Sequence, residues 1–159
     1  PETELTFEGN AIVKARSVAQ VAALPAIADD SGLCVDALNG MPGPLSARWA
    51  GRHGDDQANL ALVLDQIADL PDEARSAQFV CAAALALPDG RVEVVTGRLE
   101  GHLARQPRGT NGFGYDPIFI PEGETRSTAE MAPEEKDAIS NRGKAFRALA
   151  PIIARLVTR

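Results

Sequence analysis

Ala26-Ile27-Ala28-Asp29-Asp30-Ser31-Gly32 sets a short apolar run directly against adjacent carboxylates, a hydroxyl and a glycine. The apolar part reads as a strand. The polar tetrapeptide reads as the place where that strand stops and delivers side chains outward. Leu33 to Leu38 then resumes an apolar strand. Successive strand side chains point to opposite faces, so only one of Asp29 and Asp30 faces any given ligand. Strand ends carrying polar groups are where open α/β sheets bind ligands. Asp-Asp-Ser-Gly is equally good turn chemistry, and the tetrapeptide alone leaves both readings open.

Outward from this stretch, helices and strands mix. Residues 10–23 read as a helix with Ile12, Ala15, Ala19 and Ala22 on one face, ended by Pro25. Residues 39–44 form a Gly/Pro-rich loop. Residues 55–67 repeat Leu60, Val63, Leu64 and Ile67 at helical spacing, with Asp55 as N-cap. Residues 78–87 are a small-apolar strand, turned at Asp89-Gly90 into a strand over 91–96. Residues 101–112 look irregular, and 115–120 hold another short strand. Pro133 opens a helix over 133–139, and Ser140 caps a last helix over 141–157. In that last helix Ala145, Leu149, Ile152 or Ile153, and Leu156 recur at helical spacing. The pattern predicts an α/β domain with a mixed sheet, and no linker or repeat divides the chain.

Composition narrows the function. With 159 residues, 45% of them hydrophobic, the chain suits one globular domain. A net charge of -6 disfavours nucleic-acid binding, which rewards clustered cations. Cys34 and Cys81 lack partners at metal-ligand spacing and read as buried thiols of a reducing compartment. No apolar run is long enough to span a membrane, so a cytoplasmic address is the default expectation. His53 and His102 are isolated, and neither a Ser-His-Asp order nor a Walker loop is present.

Three stretches can carry chemistry. Asp29 and Asp30 supply hard oxygen ligands of the kind Mg2+ shares with phosphates. Residues 109–117, GTNGFGYDP, combine glycines with Phe113 and Tyr115, whose rings suit either a stacked base or the core. Only 4% of the chain is aromatic, so two rings in one glycine-rich loop stand out. Residues 134–144 carry Lys136, Arg142 and Lys144, fit for phosphate or a purine edge but also for a plain solvated face. The same two readings apply to Lys14.

Together these segments resemble the inosine/xanthosine triphosphate pyrophosphatase family, the non-canonical purine NTP pyrophosphatases. The matching stretches are Thr6-Phe7, Asn10-Ala11 and Lys14-Ala15; ADDSGLCVDALNGMPGPLSARWAG over 28–51; GFGYDPIF over 112–119; and AEMAPEEKDAISNRGKAF over 129–146. The resemblance implies an elongated central mixed sheet flanked by helices, two lobes with a nucleotide cleft between them, and a homodimer. It implies conversion of ITP, dITP or XTP to the monophosphate and pyrophosphate, by Mg2+-assisted water attack at the α-phosphorus. Asp30 matches the catalytic acidic residue and a metal ligand, and Glu2 a second ligand. Lys14, Ser31, Phe113, Gly114, Tyr115, Asp116, Lys136, Asn141 and Arg142 match substrate contacts. Arg142, donor-only, suits a 6-oxo purine over a 6-amino one. The sequence departs from the pattern in three places. It opens at Pro1 without the family's early strand and Thr-Gly-Asn-x-x-Lys loop, so residues 1–159 read as a single domain lacking both; a segment upstream of Pro1 that carries them is favoured over their loss, which would expose apolar surface and unpaired backbone. Asn141 stands where His is usual, and Gly9 where Glu is frequent, with Glu8 beside it. A pyrophosphatase for other modified nucleotides and an inactive nucleotide-binding or dimerisation module are the alternatives.

Overall fold

The computed structural model describes residues 2–157. Its helices are α1 (Phe7–Ala22), α2 (Asp56–Gln66), α3 (Pro133–Ile139) and α4 (Asn141–Val157). Its strands are β1 (Ala26–Val35), β2 (Ser76–Ala86), β3 (Val92–Leu103) and β4 (Phe119–Pro121). The strands lie in the order β1-β2-β3-β4, giving the α/β architecture expected, with an antiparallel sheet flanked by helices. β3 pairs with β4 in the register Gly101↔Pro121, His102↔Ile120 and Leu103↔Phe119. No helix among the described residues is long and apolar enough to cross a membrane.

The chain divides into two compact units. One comprises the chain up to Ser31, Val80–Arg98 and the chain from Ser140; the other comprises Gly32–Phe79 and Leu99–Ile139. In the first, Cys81, Ala83, Leu85 and Leu87 form a core with Ala145 and Leu149 of α4. Val80, Ala82, Ala84 and Ala86 are buried too, so this part of β2 is covered on both faces. Gly97 lets α4 sit against β3: a Cβ there would lie 2.2 Å from the Asn141 carbonyl oxygen. The β2–β3 hairpin closes as Asp89-Gly90 predicts, with Leu87 N–H donating to Arg91 O at 2.9 Å. In the second unit, Leu33 and Val35 pack with Leu60 and Val63 of α2, with Ile67 at its C-cap, and with Leu103, Ile118 and Phe119.

Several boundaries differ from the sequence reading. β1 runs unbroken through Asp29-Asp30-Ser31-Gly32, so the tetrapeptide is mid-strand rather than a stop. Asp29 and Asp30 find side-chain partners across space, which removes the local backbone bonding that makes such residues turn formers. The strand then ends at Val35, and Asp36–Leu38 is a turn of 3-10 helix. β3 continues to Leu103, well past Thr96, and places His102 in the sheet. α1 starts a turn early because Thr6 Oγ1 accepts from Gly9 N–H at 3.0 Å. Its buried face is Phe7, Asn10, Ala11, Ala15 and Ala19, with Ala22 exposed. Tyr115 precedes a 3-10 turn over Asp116–Ile118, and only Phe119–Pro121 is strand. The caps at Asp55 and Ser140 and the bounds of α3 and α4 are as read from the sequence.

Candidate functional site

In the first unit Asp30 points inward from the middle of β1 and is 6% exposed. Asn10 and Lys14, one turn apart on α1, both reach it. Asn10 Nδ2 donates to Asp30 Oδ2 at 3.1 Å, and Lys14 Nζ lies 3.6 Å from Asp30 Oδ1. The same ammonium donates to Glu2 Oε1 at 3.0 Å. One lysine therefore serves two carboxylates. Burial pushes the Asp30 carboxyl up to about 6; the Asn10 hydrogen bond and the Lys14 charge pull it down, and the neighbouring Glu2 raises it further. Burial alone would lower the Lys14 pKa, but the Glu2 hydrogen bond and the charges of Asp30, Glu2 and Asp29 raise it overall.

Asp29 takes the opposite face of β1. Its Oδ2 accepts from Arg142 Nε at 3.3 Å and from Cys81 Sγ at 3.7 Å. Burial pushes the Cys81 thiol up to about 11, so it stays protonated at neutral pH and is no nucleophile. Ser31 is exposed, and Asn141 begins α4 half-buried. Arg142 is mostly exposed, and its guanidinium lies over the Phe146 ring at 5.1 Å. An exposed pair of this kind is worth only about 0–1 kcal/mol, so Asp29 holds Arg142 weakly. The Gly9 position is crowded: a Cβ there would come within 2.9 Å of Glu4 Cβ.

In the second unit the glycine-rich loop is organised by one buried carboxylate. Asp116, 2% exposed, accepts from Phe113 N–H at 3.0 Å and Lys136 Nζ at 2.5 Å on Oδ2, and from Thr128 Oγ1 at 2.7 Å on Oδ1. Gly112 is required twice over: its φ is +74°, and a Cβ would lie 2.1 Å from Asp116 Oδ2. Gly114 N–H donates to Asp56 Oδ2 at 3.1 Å. These bonds hold Phe113 out, 78% exposed, with Lys136 Nζ 4.9 Å from its ring centroid.

Tyr115 corrects the sequence reading. It is 5% exposed, packed in the core, with its hydroxyl donating to Ser46 O at 2.7 Å. It offers no open face to a base, and of the two rings only Phe113 is exposed. Asp116 is likewise enclosed, and its contact with Lys136 is what links it to the exposed side of the loop. Sequence reading missed Asn10, Thr128 and Asp56 as parts of the site. Asn10 did leave a signal, because it is a polar residue on a helix face otherwise made of Phe7, Ala11, Ala15 and Ala19.

Among the described residues no group of three or more His, Cys, Asp or Glu gathers in a form that could hold a metal ion. Glu2 and Asp30, brought to the same ammonium, are a pair of hard oxygen donors. That set suits an ion that takes one or two carboxylates and completes its shell with water and phosphate, which is the habit of Mg2+.

The chain matches the model of the Ham1 family over residues 1–152. It is 65% identical to the dITP/XTP pyrophosphatase of Streptomyces coelicolor over 156 residues, 98% of this chain and 78% of the relative. Two solved structures are similar in fold. The crystal structure of the nucleoside-triphosphatase / dITP/XTP pyrophosphatase from Mycobacterium abscessus superposes with a TM-score of 0.83 at 59% identity, covering 96% of this chain and 78% of that one. The Ham1 protein of Staphylococcus aureus gives 0.90 at 41% identity, covering 96% and 79%.

Proposed function

The chain belongs to the Ham1 family, and on that premise we propose that it is a house-cleaning hydrolase converting dITP, ITP or XTP to the monophosphate and pyrophosphate. The observation that carries this reading is the Lys14 ammonium shared between Glu2 and Asp30, in a chain whose relatives from Streptomyces coelicolor and Mycobacterium abscessus are dITP/XTP pyrophosphatases.

Hydrolysis at phosphorus needs charge neutralised and a water placed in line, with little covalent help from protein. Glu2 and Asp30 would hold Mg2+, which would supply charge neutralisation for the triphosphate. Lys14, between the same carboxylates, is positioned to meet phosphate oxygens. Asp30 is ionised at neutral pH and orients the attacking water. Phe113 stacks on the base, and Lys136, held by Asp116, adds a cation beside it. Arg142 donates to the 6-oxo group, with Ser31, Gly114 and Asn141 completing the polar contacts. Guanine shares that 6-oxo group, so its rejection rests on its 2-amino group. The reading carries with it a homodimer and a cytoplasmic address.

The test is Mg2+-dependent pyrophosphate release across ITP, XTP, dITP, GTP, ATP and dUTP. The expected order puts dITP, ITP and XTP first. Preferential cleavage of dUTP would move the substrate class to modified pyrimidines, and no release from any of the six would overturn the enzyme reading.

A further inference from the structure

We propose that Asn10 is a positioning residue that holds Asp30 and the Glu2–Glu4 segment in register for one divalent cation; this rests on the functional reading above. Asn10 is 2% exposed. Its side-chain amide bonds to both backbone groups of one residue: Glu4 N–H donates to Oδ1 at 3.0 Å, and Nδ2 donates to Glu4 O at 3.4 Å. The other Nδ2 hydrogen goes to Asp30 Oδ2 at 3.1 Å. One planar group thus fixes the chain two residues from Glu2 and, at the same time, one oxygen of Asp30. The other oxygen, Oδ1, is left on the side of Lys14, 3.6 Å away.

Plain packing does not account for an amide here. The rest of the inward face of α1 is Phe7, Ala11, Ala15 and Ala19, and an aliphatic side chain would fill the place without burying polar atoms. The donor–acceptor pattern is specific. Asp keeps the shape and the acceptor for Glu4 N–H but loses the donor to Asp30 and sets two carboxylates face to face. Leu loses all three bonds. Neither Asn10 nor its bonds to Glu4 belong to the contacts that touch substrate. Its contribution runs through the spacing of the two carboxylates, and groups that orient ligands in this way typically change metal affinity about 10–100-fold.

The experiment measures Mn2+ binding to the nucleotide-free protein by electron paramagnetic resonance, for wild type, Asn10→Asp and Asn10→Leu, with folding checked by thermal denaturation. In parallel, the Mg2+ concentration giving half-maximal pyrophosphate release is measured at saturating XTP. Expected are a Mn2+ Kd raised at least about tenfold in both variants, a matching rise in the Mg2+ half-saturation, and a KM for XTP within about threefold of wild type. Asn10→Asp keeps the volume and one Glu4 bond, and so carries the test if Asn10→Leu does not fold. A Mn2+ Kd within twofold of wild type in a folded variant overturns the inference, as does a wild type that binds no Mn2+. If wild type binds Mn2+ but cleaves no nucleotide, while the variants bind it more weakly, the functional reading falls and the positioning role of Asn10 stands.

Discussion

Asp30 and Asp116 are both buried aspartates with a lysine partner, yet their surroundings point them to different work. Asp116 is spent. Phe113 N–H, Lys136 and Thr128 all donate to it, and the result is a fixed loop. Asp30 is contested. It shares Lys14 with Glu2, and burial holds its carboxyl up near 6. Matched donors turn a buried carboxylate into scaffolding. Two carboxylates per cation leave negative charge unanswered, and oxygen donors in that state suit a hard divalent cation.

The sharpest break of this comparison is Asp30→Asn. Pyrophosphate release should fall about 10³-fold in kcat, the scale expected when a group acting on the reacting water is lost. Stability should move the other way. A carboxyl raised from its ordinary value of 3.8 to about 6 favours the fold when protonated. That contribution is whole below pH 4 and is lost as pH rises through 6. In EDTA at pH 8 the variant should therefore melt higher than wild type by about 1–3 kcal/mol, and the gain should vanish at pH 4. Equal melting at both pH values would show that Asp30 is as well matched as Asp116.

Asp116→Ala tests the other side. It strands Lys136 and Thr128 and should cost about 3 kcal/mol, read by denaturant unfolding. With Lys136 and the loop released, kcat/KM for XTP should drop about 10²-fold. A variant that keeps wild-type stability would remove Asp116 from the scaffold. Phe113→Ala is milder. The ring is 78% exposed, so stability should stay within about 0.5 kcal/mol. Loss of one stacking face should raise KM for XTP roughly tenfold with kcat little changed.

Legibility in the sequence follows the same division. The starts of α2, α3 and α4 were readable because local spacing dictates them: Asp55 and Ser140 act within their own turns, and Pro133 opens α3; the Thr6 cap of α1 was not read. The unbroken β1 was not, because Asp29 and Asp30 are kept extended by partners distant in sequence, Arg142 and Asn10. Tyr115 was ambiguous for a related reason. A ring in a glycine-rich loop suits stacking and core equally, and only the bond to Ser46, 69 residues away, decides for the core. Asn10 was visible as a polar residue on an apolar helix face, but its partners at Glu4 and Asp30 are set by the fold.

Arg142 carries the smallest expected effect and the finest distinction. Its pairing with Asp29 is exposed and long, at 3.3 Å, so removing it should leave stability nearly unchanged. Its guanidinium only donates. It therefore favours a base that presents a 6-oxo acceptor and gains nothing from a 6-amino donor. One exposed charge-assisted hydrogen bond is worth about 1–1.4 kcal/mol, so Arg142→Ala should reduce the ITP-over-ATP ratio of kcat/KM roughly 5- to 10-fold. Most of that loss should fall on ITP. Arg142→Lys should recover part of the ratio, because the charge survives and the planar fork does not. A ratio unchanged in Arg142→Ala would assign base choice to the Phe113 loop instead, and Asp116, through the loop it holds, would then govern specificity as well as shape.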